Sequence, residues 1–189
     1  MVAERSQDIE ELIARMAIQK AIGSYARGVD RNDPEIMRAA FHSDARLAMG
    51  TASQTQSVDQ FIAGIQGGWE RFRAWGMHYT MNQTIDLDGD TAHSETYYLA
   101  VMKLKDGCEP PAFLPKEAAQ DGSAMWWIGG RYNDRLEKRD GEWRIAVRLG
   151  SLEWLMKGDT SATPPMLDMI GDIARRDRSD PSYERPLIR

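Results

Sequence analysis

The side chains best suited to chemistry are concentrated in the stretch SYARGVDRNDPE, residues 24–35. It holds a tyrosine, Tyr25, and an aspartate, Asp30, with two arginines and two further acids around one glycine and one proline. The rest of the chain supplies only three histidines, which are His42, His78 and His93. Aspartate, histidine, tyrosine and arginine suffice for proton transfer and for stabilising charge. The residue types therefore favour acid/base catalysis without a cofactor.

Sequence motifs for the common cofactors are absent from the chain. It contains no phosphate-binding loop G-x-x-x-x-G-K-[ST], no dinucleotide fingerprint G-x-G-x-x-G and no zinc motif H-E-x-x-H. A three-histidine metal site lacks any supporting spacing. We therefore expect neither a metal nor an organic cofactor.

Composition and charge narrow the function classes. The chain has 189 residues and a formal net charge of -5 at pH 7, and its basic residues are scattered. Because a phosphate backbone is bound by clustered lysines and arginines, we expect no nucleic-acid partner and no membrane partner. The acidic start MVAERSQDIEELI lacks the apolar stretch of a signal peptide, and the single Cys108 cannot form an intrachain disulfide. These features predict a soluble, cytoplasmic protein, with one domain over residues 1–157 and a C-terminal extension over residues 158–189.

Apolar periodicity predicts three helices in the first part of the chain. The first carries apolar residues at positions 9, 12, 13, 16, 22 and 25 and ends before Asn32. Asp33 followed by Pro34 predicts an N-cap and the first turn of a short second helix, PEIMRAAFH. Ser57 is predicted to cap a third helix that runs through Phe72.

After Gly76 the sequence changes to β-rich runs. Two such runs flank the turn DGD and two more flank RDGEW, which predicts two hairpins. With a strand at ARLAMG the order is α-α-β-α-β-β-β-β, an α+β fold in which a curved, mostly antiparallel sheet encloses the helices. Residues 105–122 are too many for a tight turn and form a candidate lid, as does the tail 159–189. The run TPPMLDMIGDIARR in that tail predicts one more helix.

Four stretches carry a resemblance to a known superfamily. They are IQKAIGSYARGVDRND, FHSDARLAMG, MHYTMNQTIDLDGDTA and GGRYNDRLEKRDGEWRIAVR. Their order and spacing resemble the nuclear-transport-factor-2-like superfamily, a cone-shaped α+β barrel, in its SnoaL-like branch with scytalone dehydratase, bile acid dehydratase and hexachlorocyclohexane dehydrochlorinase. The similarity covers Asp8 to Lys157.

The resemblance implies roles for four residues. In that branch an aspartate at the end of the first helix pairs with a histidine on the strand after the third helix, and the matching positions are Asp30 and His78. The matching arginine is Arg148. Tyr25 matches the tyrosine of the bile acid dehydratase pattern, where the dehydrochlorinase has a lysine, so the leaving group stays open. Asp30 would fix the tautomer of His78 and make its other nitrogen a better base.

Each residue also has a structural interpretation. Asp30 can terminate a helix, Arg148 can pair with a surface acid, and Tyr25 can be core at helical spacing. A lone strand histidine such as His78 is more often structural than catalytic. His42 is expected to contact a helix C-terminus, and His93 to lie at a rim. Only the four residues in the matching order favour catalysis.

An aromatic-rich composition predicts a large apolar pocket. Six tryptophans and many methionines suit a bulky, hydrophobic substrate, although about half of the aromatics would simply pack helix on sheet. Strand phase with His78 points to two further polar contacts. The predicted substrate-binding residues are Thr80, Asn82, Trp69, Tyr97, Trp127 and Trp154.

These inferences predict a cofactor-independent lyase in which His78, assisted by Asp30, removes a proton while Arg148 and Tyr25 stabilise charge. Loss of water from an aromatic, hydroxylated small molecule is the first expectation. The same groups could release a small aldehyde such as formaldehyde from an aromatic diol, or move a double bond as ketosteroid isomerase does. A non-catalytic ligand-binding or protein-interaction domain is the other class. The resemblance also implies a homo-oligomer, with a trimer favoured over a dimer.

Overall fold

The order of helices and strands follows from the start and stop signals along the chain. The computed structural model describes residues 2–50, 54–118, 124–159 and 175–184. The elements in this part are α1 (Val2–Asp30), α2 (Pro34–Ala39), β1 (Phe41–Met49), α3 (Val58–Arg71), β2 (Arg73–Asp88), β3 (Thr91–Leu104), β4 (Ala124–Arg139), β5 (Glu142–Asp159) and the 3-10 turn η1 (Pro181–Tyr183).

Helix α1 ends at a residue that matters for the site, Asp30. Beyond it Asn32 has a positive φ of 50°, which breaks the helical path. Asp33 then caps α2, because its Oδ1 accepts hydrogen bonds from the backbone N–H groups of Glu35 and Ile36 at 3.0 and 3.1 Å. Close packing of the two helices requires Gly28, since a Cβ there would lie 2.6 Å from Met37 Cγ. The tight turn thus places the carboxylate of Asp30 at an open helix end.

Helix α3 begins with a capping box. The Ser57 hydroxyl accepts from the Gln60 backbone N–H at 3.3 Å, and the Gln60 side chain accepts from the Ser57 N–H at 3.0 Å. Its last turn is tied to α1, because Trp69 Nε1 donates to the Val29 carbonyl at 3.0 Å. This bond fixes α3 beside the end of α1.

The five strands form one curled, open sheet in the order β1-β5-β4-β3-β2. Strands β2 to β5 are antiparallel neighbours, whereas β1 pairs in parallel with β5. Strand β2 is therefore an edge strand, and its free edge is available to the end of α1. The β4–β5 hairpin turns through Asp140 and Gly141, both with positive φ, as a two-residue turn of primed type requires.

The inner face of the sheet and the helices share one apolar core. Side chains such as Ile22, Met37, Leu47, Leu136 and Ile145 have no exposed surface. Burial alternates along β3, where Ala92, Ser94, Thr96 and Tyr98 are buried and the residues between them are not. This alternation assigns Ala100 to the inner face. Ala100 stands between His78 on β2 and Ile128 on β4 in the register of the sheet.

The α+β fold and the element order predicted from the sequence are confirmed. One detail differs: α2 stops at Ala39, because Phe41 already belongs to β1. The parallel pairing of β1 with β5 fits the mostly antiparallel sheet that the sequence predicts. The apolar residues of the first half of α1, namely Ile9, Leu12, Ile13 and Met16, are more than half exposed. The helix predicted at TPPMLDMIGDIARR lies mostly outside the described residues. Of the helices in the described part, none pairs the length with the apolar content that a bilayer-spanning segment needs.

Candidate active site

An aspartate and a histidine meet where the end of α1 approaches the edge of the sheet. Asp30 Oδ1 lies 2.7 Å from His78 Nδ1, and Asp30 Oδ2 accepts a hydrogen bond from the His78 backbone N–H at 3.0 Å. Both side chains are 11% exposed. Because both carboxylate oxygens are held by the same residue, the imidazole is fixed in position while its Nε2 is left for other partners.

The edge position of β2 makes this contact possible. In the interior of a sheet, a backbone N–H would be consumed by the neighbouring strand. On the free edge of β2, the N–H of His78 instead points at the helix end and receives Asp30. The sequence feature behind the contact is the helix break after Asp30. Because α1 ends at this residue, the Asp30 side chain can reach the edge of β2.

A second acid–base pair lies deeper in the core. Arg148 donates from Nε and Nη2 to the two carboxylate oxygens of Asp134 at 2.8 and 2.7 Å. Neither side chain has exposed surface. The guanidinium carbon sits 4.3 Å from the ring centroid of Tyr25 and 4.2 Å from that of Tyr132. The arginine is thus held by a bidentate ion pair and by two aromatic faces.

The protonation of this cluster follows from its burial. Burial lowers and the carboxylate of Asp134 raises the pKa of Arg148, with a net shift upward, so that the guanidinium stays charged. Burial raises the pKa of the Tyr25 hydroxyl, although Arg148 and a hydrogen bond with Tyr132 oppose the shift. Burial likewise raises the pKa of Tyr132 well above its ordinary value. Both phenols are therefore protonated donors at neutral pH.

A third basic residue faces the same space. Arg73 begins β2, and its guanidinium carbon lies 5.1 Å from the ring centroid of Trp69. Burial lowers the pKa of Arg73, while Tyr25, Asp30 and Tyr132 raise it. Its Nε and Nη1 are buried and have no hydrogen-bond partner among the residues that the structure describes.

Of the predicted substrate-binding residues, three share the neighbourhood of the dyad to different degrees. Trp69 is buried beside Val29, the residue before Asp30. Thr80 pairs with Tyr98 in the register that also pairs His78 with Ala100. The pairing then shifts between Thr80 and Gln83, so that strand phase is interrupted at Asn82, which is exposed.

The other three predicted residues lie on the outer face of the sheet. Tyr97, Trp127 and Trp154 are 43%, 36% and 48% exposed. Each strand alternates, and their neighbours Tyr98 and Ile128 belong to the buried inner face. A groove of about 710 Å³ crosses this outer face and reaches the β2 edge. It is lined by His78 and Thr80 together with apolar residues, among them Trp75, Tyr79, Val101 and Trp127.

A short C-terminal segment packs over the turn that follows Asp30. Tyr183 Oη donates to Asp33 Oδ2 at 2.9 Å, and Arg31 lies 3.2 Å from Asp180. Arg176 Nη1 donates to the Asp30 carbonyl at 3.4 Å, and its guanidinium carbon is 5.5 Å from the Trp75 ring centroid. The described part of the tail therefore borders the candidate site.

Three interactions of the site were missed from the sequence. Asp134 is the partner of Arg148, and the sequence suggested only a surface acid for that arginine. Arg73 stands five residues before His78 and fits no motif. The tail contacts, such as Arg176 with Asp30, join residues far apart in sequence. Asp134 and Arg148 belong to one predicted hairpin, but a bulge in its pairing decides which residues stand opposite each other.

The remaining histidines take no part in the dyad. His42 Nε2 lies 2.9 Å from the Glu137 carbonyl oxygen of β4, so the expected helix C-terminus contact is wrong. His93 is exposed on β3. Within the described ranges no group of three or more His, Cys, Asp or Glu side chains is arranged to hold a metal ion.

One of the comparisons with known proteins identifies a family. The family model described as the SnoaL-like domain matches residues 10–148. No curated protein matches the chain by sequence.

Among solved structures, hexachlorocyclohexane dehydrochlorinase LinA type 2 superposes with a TM-score of 0.66 at 18% identity, covering 84% of this chain and 98% of that chain. A scytalone dehydratase-like protein from Novosphingobium aromaticivorans superposes with a TM-score of 0.62 at 21% identity, covering 86% and 96%. LinA type 3 from Novosphingobium barchaimii gives 0.65 at 19% identity, covering 83% and 99%. At these identities the likeness demonstrates the fold alone.

Proposed function

This chain belongs to the SnoaL-like domain family, and from that premise we propose that it is a cofactor-independent lyase. The reaction is loss of water from a bulky, hydrophobic molecule that is aromatic and hydroxylated. The observation that carries the proposal is the 2.7 Å contact between Asp30 Oδ1 and His78 Nδ1. Two proteins of similar fold are named for elimination reactions, a dehydrochlorinase and a dehydratase.

The dyad supplies the base. An ionised carboxylate only accepts hydrogen bonds, so Nδ1 of His78 carries the proton and Nε2 keeps the lone pair. Nε2 takes a proton from a substrate carbon, and the electrons of that C–H bond form a carbon–carbon double bond. The hydroxyl on the neighbouring carbon leaves and receives the proton back from the imidazolium. One water is released and His78 returns to its starting state.

Tyr25 and Arg148 are the groups proposed to stabilise developing charge. Two nitrogens of Arg148 are occupied by Asp134, while its Nη1 is buried without an acceptor among the described residues. The Tyr25 hydroxyl is protonated because burial raises its pKa. A donor aimed at a developing oxyanion in a dry interior contributes more than the same donor in water.

The test is turnover by two dyad variants. Metal-free protein is incubated with a panel of hydroxylated aromatic compounds, and loss of water is followed by mass spectrometry. We expect His78→Ala and Asp30→Asn to lower kcat by about 10²- to 10⁴-fold, the usual size of a general-base contribution. The matched control is His93→Ala, which removes an exposed histidine from the neighbouring strand.

Two results would contradict the lyase proposal. One is unchanged turnover in both dyad variants. The other is activity that EDTA abolishes and zinc restores, since the proposed steps use only side chains of this chain. Release of a small aldehyde without loss of water would change the assigned reaction from dehydration to carbon–carbon cleavage.

The proposed assembly is a homo-oligomer, and we favour a trimer over a dimer. The support is the exposed apolar surface on the outer face of the sheet, where Tyr79, Tyr97, Trp127 and Trp154 are 36% to 48% exposed. Light scattering should give about three times the chain mass of 21.4 kDa. Trp127→Lys should shift that mass toward a single chain, and a single-chain mass for the unaltered protein would contradict the assembly.

A further inference from the structure

One charged group beside the dyad has no use in the reaction just proposed, the guanidinium of Arg73. The side chain crosses the inner face of β2 over Gly76, since a Cβ at Gly76 would lie 3.2 Å from Arg73 Cδ. Gly76 pairs in register with Met102, which pairs with Trp126, and both of these are core residues. Arg73 therefore points into the interior rather than to the outer groove.

Aromatic packing holds the guanidinium near Asp30. Its carbon is 5.1 Å from the Trp69 ring centroid. Trp69 in turn donates from Nε1 to the Val29 carbonyl at 3.0 Å, one residue before Asp30. Among the described residues Arg73 forms no ion pair, and its position relative to the dyad follows from the Trp69 ring and from the hydrogen bond of that ring to Val29.

Two N–H donors of Arg73 lack acceptors in the described part of the chain. Nε and Nη1 are both buried and unpartnered. The negative charge of Asp30 acts on Arg73, but both oxygens of Asp30 already accept hydrogen bonds from His78. Buried donors are nearly always paired in native proteins, and leaving a charged one unpaired is costly. Trp126 Nε1, in the same row of the sheet as Gly76, is a further buried donor for which the described residues supply no acceptor.

Both interior arginines have a buried nitrogen without an acceptor among the described residues, but they differ in their counterions. Arg148 has a built-in counterion, Asp134, which accepts two of its hydrogen bonds. In the described part of the chain no carboxylate is paired with Arg73, and the acid whose charge acts on it is Asp30 of the dyad. A donor set of this kind is complete only when an acceptor arrives with a ligand.

We propose that Arg73 binds an anionic oxygen of the substrate, so that the natural substrate carries a carboxylate or an ionised phenol close to the carbon from which His78 removes the proton. The inference rests on the lyase proposal for the identity of the site, but it concerns binding and can fail separately. An anionic oxygen satisfies the guanidinium donors, and it anchors the substrate beside the base. Hydrogen bonds to charged groups are the stronger class, which fits a recognition role.

The experiment compares matched probes by their effect on the unfolding midpoint and by calorimetry. The pairs are trans-cinnamate with cinnamamide and 4-nitrophenolate with 4-nitroanisole, at a pH where both anions are ionised. We expect each anion to bind the unaltered protein about tenfold or more tightly than its neutral partner. In Arg73→Met that preference should disappear, while affinity for the neutral probes stays the same. The two pairs distinguish a carboxylate from a phenolate.

Three further variants separate recognition from folding. Arg73→Lys retains a cation and should recover part of the preference, which a packing role would not predict. Arg71→Met, at the exposed end of α3, should leave the preference intact. His78→Ala should lose turnover but keep the preference for the anionic probes. Failure of the lyase proposal can therefore be distinguished from failure of the anion-binding proposal. Equal binding within both pairs, no binding by either anion, or an unchanged preference in Arg73→Met and Arg73→Lys would overturn the inference.

Discussion

Two of the acid–base pairs that the structure describes share a short distance and differ in accessibility. Asp30 with His78 and Asp134 with Arg148 each have a closest contact of 2.7 Å. The first pair is 11% exposed on both sides, and Nε2 of its histidine takes no part in the contact with Asp30. The second pair has no exposed surface, and aromatic rings cover its cation. The distance within a pair therefore does not separate a catalytic pair from a structural one. The partly exposed pair, which contains a histidine, is the one suited to proton transfer.

Strand position explains this difference. His78 is on the edge strand β2, where a helix end can approach the backbone. Arg148 is on β5, which has neighbours on both sides. A charge in the middle of the sheet needs a partner on an adjacent strand, and β4 supplies Asp134 at the register position opposite Arg148. The central pair is therefore formed before any ligand arrives, and among the described residues only Nη1 of Arg148 is left without an acceptor.

The largest expected effect comes from breaking the central pair. Asp134→Ala leaves the Arg148 guanidinium buried without its counterion, and we expect a loss of about 3–5 kcal/mol in the free energy of unfolding. Urea unfolding measures this change. Asp59→Ala, which breaks the exposed pair with Arg38, is the control and should cost no more than about 1 kcal/mol.

Replacing both members of the central pair sharpens the same point. Asp134→Leu combined with Arg148→Met removes the charges together and should recover most of the stability lost in Asp134→Ala. A double variant as unstable as the single one would contradict the view that the unpaired charge causes the loss.

A smaller effect is expected from moving the helix end that carries Asp30. In Gly28→Ala the new Cβ would lie 2.6 Å from Met37 Cγ and 2.7 Å from the Met37 backbone nitrogen. Such overpacking costs about 1–3 kcal/mol, more than the helix propensity gained by alanine. Denaturant unfolding and turnover should both decline. Gly64→Ala in α3, where nothing lies near the new Cβ, should not destabilise the fold.

Breaking the accessible pair should cost the fold less than either change. Asp30→Asn keeps an acceptor oxygen for the His78 backbone N–H, so we expect a loss of about 0.5–1.5 kcal/mol in unfolding free energy. Nitrogen NMR of His78 should at the same time report a mixture of ring tautomers instead of one. A single unchanged tautomer would contradict the orienting role of Asp30.

The smallest effect concerns the acids under the C-terminal segment. Burial raises the pKa of Asp33, but the hydrogen bonds from Ile36 and Tyr183 lower it by more, so the net shift of the pKa is downward. The pKa of Asp180 is lowered as well, because hydrogen bonds from Arg175 and Ser182 outweigh burial. The two carboxylates therefore stabilise the folded state fully at a pH above their ordinary pKa of 3.8, and this stabilisation is lost as the pH falls below that value.

Hydrogen exchange measures this acid effect directly. Amides of residues 175–184 should exchange faster as the pH falls below 3.8, after correction for the intrinsic rate, while amides of β4 and β5 stay protected. Asp180→Asn should show the faster exchange already at neutral pH. Equal protection of the segment at all pH values would contradict the role of these carboxylates.

Local signals predicted the elements well, and long-range register predicted the site poorly. The Asp33 cap, the Ser57 capping box and the Asp140–Gly141 turn are each encoded by a few adjacent residues, and all three are present. The partner of Arg148 depends on a bulge between Arg135 and Leu136 in the pairing of β4 with β5. A regular hairpin from the RDGE turn would set Val147 opposite Asp134, so the ion pair cannot be counted from the turn.

The dyad and its neighbours illustrate the same limit. Asp30 and His78 were named from a family resemblance, since neither residue alone distinguishes catalysis from structure. The aromatic residues Tyr97, Trp127 and Trp154 were grouped with them by composition, which contains no information about strand face. Arg73 is not predictable in this way, because its role rests on buried donors that find no acceptor among the described residues, and an absent contact has no sequence pattern.

The double attachment of Asp30 has a consequence for chemical rescue. One of its oxygens is held by the backbone N–H of residue 78, which survives any substitution of the ring. In His78→Ala the carboxylate would therefore stay aimed at the space that the imidazole filled. Free imidazole added to the buffer would meet a hydrogen-bond acceptor that is already oriented. It could therefore bind in the space of the missing side chain and act as the base.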